Sequence, residues 1–423
     1  MADKTVPISF AKGLANRQAE TKLPPGYARA AVNVDISNDG VVSRREGYTL
    51  FAALPGAHSL WSHPGFMYAL VAAGDKLYSL TAEGVLEQAA SGLSGGDVHY
   101  CMTPIGVYWS DGNVCGKVTL AGDARAWGVE TPSNIAVAAL SAGGMDAGAY
   151  SVSATFVNSD GEEGGATALK SVDVLAGGGI TVSVPTAVDF NVTEVRVYVT
   201  TANGQELQYA GSVVPGSTYM VVATPRGRRL DTNFMRPVPP MRYPQLKHGR
   251  LIGAVDRRLV WSEPMRYGLY RYATNFASLP ATITMVAAAD ATAFLMYIGT
   301  DARAYKFEGE SLEQATLTVL AHIGVVPGSM AMVSPDALAI EGVTTWSPVW
   351  VDKTGVPTAG VQGTAVPLHT KFAYPQFAAM AATFFQKDGD SRYIAAGRGS
   401  RPSVLTVGDY VTAKVIDAGG GTM

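Results

Sequence analysis

Apolar residues in this chain recur in short runs that alternate with polar positions and end in turn residues. From about residue 57 one unit repeats: an apolar run, a tight turn and a second apolar run, as at 105–109 and 114–118 around Ser-Asp-Gly-Asn. Period-two alternation predicts β-strands, and Gly, Asn and Asp between two such runs predict hairpins. The pattern therefore predicts an all-β chain built largely from hairpins.

A single hairpin is only marginally stable in water, so these units must pack on one another. Radial repetition of small sheets is one solution, and it protects the sheet edges. We therefore predict a β-propeller-like body of about five to seven blades, with a large sandwich or barrel as the structural alternative. Residues 378–386 fit either a short helix or a buried strand, and periodicity does not decide between them.

Residues 132–225 have a different texture, with few aromatic side chains before Tyr150 and clean alternation in the run 194–200. Strands of this length separated by Gly, Asn and Asp turns predict a small β-sandwich inserted between hairpin units. The predicted domains are an N-terminal arm and hairpin (1–50), the first part of the propeller (51–131), the inserted sandwich (132–225) and the second part of the propeller (226–423). We expect the arm, which lacks a core of its own, to order on a neighbouring molecule.

Composition adds a prediction about assembly. Charged residues make up 16% of the chain and hydrophobic residues 47%, against about 25% charged in ordinary globular proteins. So few charges predict that part of the surface is buried between subunits. The net charge of −3 excludes polyanion binding by bulk electrostatics.

Three features bear on compartment and redox state. The charged N-terminus is not followed by an apolar signal segment, and no apolar stretch reaches the length of about 18 residues that spans a bilayer. We therefore expect a soluble protein made in the cytoplasm. Cys101 and Cys115 could form a bridge across a hairpin, but buried free thiols are the favoured interpretation.

One segment matches a metal-binding motif. Residues 35–46 (DISNDGVVSRRE) have the spacing of an EF-hand calcium loop, with oxygen ligands at Asp35, Ser37 and Asp39, then Gly40 and a final Glu46. An EF-hand loop lies between helices, whereas prolines and β-alternation surround this one. We favour a hairpin turn and predict no metal.

A basic run interleaved with tyrosines extends over residues 226–271. Arginine beside aromatic rings can hold nucleic acid by phosphate pairing and stacking, and the same residue types are enriched at protein interfaces. We favour a protein interface over contact with DNA. The candidate interface or DNA-channel residues are Arg226, Arg228, Arg229, Arg236, Arg242, Arg250, Arg257 and Arg258.

Motifs for catalysis are sparse. The six histidines show no metal-ligand spacing, and the sequence contains no G-x-S-x-G elbow, Walker loop or C-x-x-C pair. Glu162 and Glu163 are adjacent in a turn, where solvated charge is the default. We predict a protein that is not an enzyme and needs no cofactor, with a propeller glycosidase as a minor alternative, since carboxylates from separate blades can converge unseen.

Several short segments together resemble the tail nozzle, hub and stopper proteins of short-tailed and related bacteriophages. They are GLANR (13–17), LPPG (23–26), VNVD (32–35), RREGY (44–48), GVYWSDG (106–112), AWGV (126–129), TP (131–132), HGRLIGA (248–254), VWSEP (260–264), VVPGS (325–329), VWV (349–351) and KTG (353–355). The pieces are spread over most of the chain, and none is a catalytic signature. This chain is shorter than many nozzles, which also fits a smaller adaptor or a tail-tip protein.

The resemblance implies a propeller body with an inserted immunoglobulin- or fibronectin-like domain. It also implies a homo-oligomeric ring, often of six copies, around the channel through which DNA leaves the virion. The implied partners are other phage tail proteins and, transiently, phage DNA. The alternative is a tail-tip adhesin that binds a host surface receptor, for which exposed Tyr267, Tyr270 and Tyr272 are the candidate residues.

Overall fold

The computed structural model describes residues 9–36, 40–45, 47, 49–289, 293–338, 340–369, 371–387, 390–398 and 410–414. Regular structure in these residues is β, apart from a 3-10 helix at Glu20–Lys22 and a short α-helix, α1, at Pro335–Leu338. The strands in chain order are β1 (Val34–Ile36), β2 (Val42–Arg44), β3 (Ala57–Trp61), β4 (Ala69–Ala73), β5 (Lys76–Leu80), β6 (Leu86–Ser91), β7 (His99–Thr103), β8 (Gly106–Ser110), β9 (Cys115–Thr119), β10 (Ala124–Ala126), β11 (Ala136–Met145), β12 (Gly148–Asn158), β13 (Lys170–Val174), β14 (Gly178–Ser183), β15 (Val192–Val199), β16 (Gln208–Val213), β17 (Thr218–Val221), β18 (Met235–Pro237), β19 (Arg242–Lys247), β20 (Arg250–Val255), β21 (Arg258–Trp261), β22 (Leu269–Arg271), β23 (Phe276–Ser278), β24 (Ile283–Ala288), β25 (Phe294–Thr300), β26 (Ala304–Gly309), β27 (Thr316–Ala321), β28 (Ala331–Val333), β29 (Ser347–Val351), β30 (Pro357–Val361), β31 (Thr364–Pro367), β32 (Ala379–Lys387), β33 (Asp390–Arg398) and β34 (Tyr410–Lys414).

The all-β prediction is confirmed, and residues 378–386 form a strand rather than a helix. Tertiary contacts divide the chain into two compact units. One unit joins Met1–Phe51 to Leu279–Met423, and the other is the continuous segment Ala52–Ser278.

Antiparallel sheets of similar size make up most of both units. The continuous unit contains the four-stranded sheets β3-β4-β5-β6, β10-β9-β8-β7 and β19-β20-β21-β23. The other unit contains β24-β25-β26-β27, β28-β29-β30-β31 and the three-stranded β32-β33-β34. In nearly all of them spatial neighbours are also sequence neighbours. The exception is β22, which leaves the third sheet to pair with β18.

Burial explains why the inner strands read as continuous apolar runs rather than alternating ones. Every residue of β8 and of β25 is buried, so both faces of these strands are covered.

An aspartate closes the hairpin after two of the inner strands. The Asp111 carboxylate accepts the backbone N–H of Val114 at 2.7 Å, and that of Asp352 accepts the N–H of Val356 at 3.0 Å.

Seven strands between 136 and 221 form two facing sheets. One is β11-β14-β17 and the other is β13-β12-β15-β16, and both contribute to a single core that includes Phe156, Ile180 and Val197. The first two strands of an immunoglobulin domain lie in the same sheet. Here β11 and β12 lie in opposite sheets, so the strand order departs from the immunoglobulin one.

The described part of the N-terminal segment packs on its own chain, and its ordering on a neighbouring molecule stays a prediction. The side chain of Asn16 exchanges hydrogen bonds with the backbone of Ala373 at 2.7 and 2.9 Å. Lys371 donates to the Tyr27 hydroxyl at 2.9 Å. The predicted hairpin is observed as the short pair β1–β2.

The calcium-loop motif can be followed only in part, because Ser37, Asp39 and Glu46 lie outside the described residues. The Asp35 carboxylate is 3.1 Å from Arg392 and 3.6 Å from Arg45. This carboxylate is thus engaged by cations of the protein itself.

The two cysteines are free thiols, as favoured from the sequence. Strand β8 separates the strands that carry them, because β7 and β9 both pair with β8. Cys101 lies opposite Tyr108, and Cys115 lies opposite Ser110. The alternative of a bridge across one hairpin is therefore wrong.

Candidate functional site

The arginines singled out from the sequence all lie in the continuous unit, where the structure gives them different partners. Arg228 pairs with Glu163, and Arg229 lies 2.6 Å from Glu206. Arg236 stacks on a tyrosine ring. Pairing with carboxylates thus offsets the charge of two members of the run.

The other candidates are placed by β19–β21 and the segments beside them. Arg250 donates to the carbonyl of Ser262 at 3.2 Å, and Arg258 lies 5.0 Å from the ring centroid of Phe276. Arg242 lies close to the turn at Gly112. Two candidates, Arg226 and Arg257, are exposed and have no ion pair with any described residue. Whether this run faces DNA or protein stays a prediction.

The strongest ionic cluster surrounds Glu163, whose side chain is only 9% exposed. One carboxylate oxygen accepts the hydroxyl of Tyr198 at 2.6 Å and that of Thr155 at 2.7 Å. The other accepts Arg196 Nη1 at 2.8 Å and also Arg228 Nη2. Burial acts to raise the pKa of Glu163, but these hydrogen bonds and the charge of Arg228 outweigh it and lower the pKa below 4.5.

A second ion pair ties the sandwich to the sheet before it. Lys117, on β9, has a side chain that is 3% exposed, and its ammonium lies 3.3 Å from Glu162 and 3.4 Å from Asp160. The side chain of Asn158 fixes the same turn, because its oxygen accepts the N–H of Glu162 at 2.8 Å. Glu163 is thus largely removed from solvent, so the expectation of solvated charge is wrong for it, whereas Glu162 is 33% exposed and pairs with a buried lysine.

We refer to the contacts of Lys117 and Glu163 as the junction. Aromatic rings pack beside it, around Tyr108 of β8. Tyr108 packs edge-on against Trp127 and Tyr267, with ring centroids 5.1 and 5.8 Å apart. The Trp127 indole N–H donates to the carbonyl of Tyr267 at 3.0 Å. A side chain on Gly128 would collide with the backbone of Gly268. The two segments therefore approach each other backbone to backbone.

The three tyrosines proposed as adhesin residues differ in exposure, contrary to the expectation that all are exposed. Tyr267 is only 3% exposed, so it cannot present its ring to a receptor. Tyr270 is half-buried, and only Tyr272, at 41%, counts among the exposed side chains. The three tyrosines do not form one exposed aromatic face.

A groove of about 470 Å³ opens beside the segments that enter and leave the sandwich. It is lined by residues 131–133, 166–169, 233–237 and Tyr272. Phe234 is 66% exposed and Leu169 is 52% exposed. The Arg236 guanidinium lies 4.2 Å from the centroid of the Tyr272 ring. The groove therefore combines mainly apolar side chains with one cation and with the polar side chains of Thr131, Ser133, Thr167 and Asn233.

Among the described residues, no group of three or more His, Cys, Asp or Glu side chains is arranged to hold a metal ion. No helix in that part of the chain is long and apolar enough to cross a membrane.

No protein-family model and no curated protein matches this chain. Among solved structures it is similar to the Pan2 WD40 domain of Neurospora crassa, at 8% identity and a TM-score of 0.33, over 81% of this chain and 86% of that one. It is also similar to BBS1N in complex with ARL6DN, at 12% identity and a TM-score of 0.32, over 83% and 91%. Hsv2 of Kluyveromyces lactis gives 7% identity and a TM-score of 0.27, over 78% and 86%. These are propeller-type domains and not phage tail proteins.

Proposed function

We propose that this chain is a non-enzymatic structural component of a bacteriophage tail, in a nozzle, hub or adaptor ring around the DNA exit channel. In this proposal the small antiparallel sheets are blades of a propeller-like body, because four-stranded meanders are the unit from which propellers are built. The inserted sandwich, of immunoglobulin or fibronectin type with a changed strand order, makes lateral contacts. A homo-oligomer, with a hexamer favoured, would cover the surface that the low charge leaves apolar.

The observation that carries the proposal is the double ionic attachment of the sandwich. Lys117 joins the turn at 160–162 to the sheet of β7–β10. Arg228, in the segment after β17, reaches back to Glu163 at the base of the sandwich. Ion pairs that fix the turn at 160–162 and the segment leaving the sandwich suit a load-bearing assembly better than a mobile binding module, because relative motion would separate the buried Lys117 and Glu163 from their partners.

The direct test is genetic. A nonsense mutation in the gene for this chain, in the phage that carries it, should yield particles whose tails lack a ring or stop short of it. Negative-stain images and mass spectrometry of purified virions, with the gene supplied in trans as the control, read this out. Normal infectious particles that lack the protein would refute the proposal.

An adhesin would give a different result. Particles without the chain would then have complete tails but fail to adsorb, and the purified chain would bind host cells on its own. Because Tyr267 is buried, such binding would have to use other residues, with Tyr272 as the remaining exposed candidate.

Transient contact with DNA has a separate test. Arg226 and Arg257 are exposed cations without an ion pair among the described residues, so they are free to meet phosphates. Changing both to alanine should lower the slope of log affinity for duplex DNA against log salt by about 2. Arg229→Ala is the matched control, because Glu206 already engages that guanidinium. An unchanged slope would assign the run to protein contacts.

A further inference from the structure

The loop between β14 and β15 presents two large apolar side chains almost completely to solvent. Val188 is 92% exposed and Phe190 is 85% exposed. Single exposed apolar side chains are ordinary on protein surfaces. Here two of them lie two residues apart, on either side of Asp189. We refer to residues 188–190 as the tip.

The loop holds the tip in a fixed conformation. One oxygen of Glu130 accepts the backbone N–H of Val188 at 2.6 Å and that of Asp189 at 3.0 Å. Asp189 Oδ1 in turn accepts the N–H of Asn191 at 2.9 Å and its side-chain amide at 3.1 Å. A loop already ordered in the free protein loses little conformational entropy on binding, which favours its use as a docking element.

The groove beside the sandwich has the complementary properties. Its volume of about 470 Å³ lies in the range of about 300–1,000 Å³ typical of binding pockets. Phe234, Leu169 and Tyr272 give it exposed apolar surface. Arg236 stacks on Tyr272 and forms no ion pair with a carboxylate among the described residues. The groove thus calls for an apolar ligand that carries one negative charge.

The tip has this composition. Its two apolar side chains flank one carboxylate, and Asp189 Oδ2 has no hydrogen bond or ion pair with a described residue. We propose that the tip of one copy of this chain docks in the groove of the next copy, with Phe190 in the apolar part and Asp189 paired with Arg236. The proposal deepens the proposed function and rests on it for the homo-oligomer.

The contact joins two different surfaces of the same chain and is therefore heterologous. Head-to-tail contacts of this kind close into rings when the rotation between copies allows it, and otherwise they continue as filaments. Each copy has one tip and one groove, so a variant that lacks one of them can still offer the other.

The test uses the full chain and two complementary variants. Phe190→Ser removes the apolar anchor from the tip and leaves the groove intact. Ala168→Trp fills the groove from its exposed rim and leaves the tip intact. Each variant alone should associate at least tenfold more weakly than the unchanged chain in sedimentation velocity. Mixed one to one, they should form a dimer that grows no further, because only one working tip and one working groove remain.

Leu175→Ser is the matched control, since Leu175 is 83% exposed in another turn of the sandwich. It should associate like the unchanged chain. Circular dichroism and thermal melting verify that all three variants are folded. Arg236→Glu should also weaken association, because it places a carboxylate opposite Asp189 of the docked tip.

Two results would overturn the proposal: an unchanged chain that stays monomeric up to its solubility limit, or Phe190 and Ala168 variants that show no dimer on mixing. Failure here is distinguishable from failure of the proposed function. If virions contained the Phe190→Ser variant in normal amount and had normal tails, the proposed tail function would stand and the proposed contact would be wrong. If the chain associated through Phe190 but were absent from virions, the contact would stand and the tail function would be wrong.

Discussion

Replacing Glu163 with glutamine tests how much the buried carboxylate stabilises the sandwich junction. The side chain keeps its shape, so the packing around it is retained. Its one amide oxygen can still accept from Arg196, while its NH2 group can donate to the hydroxyls of Tyr198 and Thr155. What is lost is the charge that faces Arg196 and the charge-assisted character of the bonds from Tyr198 and Thr155.

The expected magnitude follows from these contacts. A hydrogen bond to a charged group contributes about 1.5–3 kcal/mol, and a neutral acceptor retains roughly half of that. The bond from Arg228 adds little to the sum, because that side chain is 52% exposed and screened by water. Summed over the three remaining bonds, Glu163→Gln should lower the free energy of unfolding by about 2–4.5 kcal/mol. In the continuous unit Ala52–Ser278 that corresponds to a fall in Tm of roughly 4–18 °C.

The pH dependence gives an independent check. The pKa of Glu163 is lowered in the folded protein from an ordinary value of 4.5. The charge therefore stabilises the fold fully above the unfolded-state pKa, and this contribution disappears as the pH falls through the folded-state pKa. The stability difference between wild type and Glu163→Gln should be constant near neutral pH and shrink below about pH 4.5.

Urea unfolding at several pH values, followed by tryptophan fluorescence, measures both effects. Glu194→Gln is the matched control, because Glu194 contacts the same Arg196 at 3.2 Å but is 33% exposed. Its effect should stay below about 1 kcal/mol. If the two substitutions had equal effects, or if that of Glu163→Gln did not depend on pH, the cluster would not hold the junction as described.

Three further outcomes are expected. Gly128→Ala should destabilise the protein by about 1–3 kcal/mol in the same unfolding assay. The new Cβ would lie 2.2 Å from the carbonyl oxygen of Gly268, a backbone atom that cannot turn away. An unaffected Tm would show that the two segments can separate. Burial lowers the pKa of His99 to about 4, so NMR titration should find this side chain neutral at pH 5.5. The free energy of unfolding should fall as the pH drops from the unfolded-state pKa of 6.5 toward 4. A His99 that titrates near 6.5 would contradict this. Burial raises the pKa of Cys101 and of Cys115 to about 12, so both thiols should react with a thiol reagent far more slowly in the native protein than in urea; equal rates would show that one of them is accessible.

Local patterns predicted the strands well because strand formation is read from neighbouring residues. The hairpin expected at 105–109 and 114–118 is observed as β8 and β9. Its turn chemistry and its apolar runs lie within a few residues of each other. No contact from a distant part of the chain is needed to specify the pair.

The junction could not be predicted in this way, because its partners are far apart in sequence. Glu163 and Arg228 are separated by 65 positions, and Lys117 and Glu162 by 45. From the sequence alone, two carboxylates in a turn are expected to be solvated. Only the tertiary structure shows that a buried lysine lies beside them. Likewise, the burial of Tyr267, in the turn before β22, depends on Tyr108 in β8.

The packing of residues 9–36 against the last sheets of the same chain has a consequence for synthesis on the ribosome. Lys371 must be translated 344 positions after Tyr27 before the two side chains can meet. At about 5–20 residues per second the N-terminal segment waits roughly 17–70 seconds for its partner. The segment 52–278 is complete well before that and can fold as it emerges. Translation of the residues around Lys371, rather than of the N-terminal segment, therefore sets the moment at which the discontinuous unit closes.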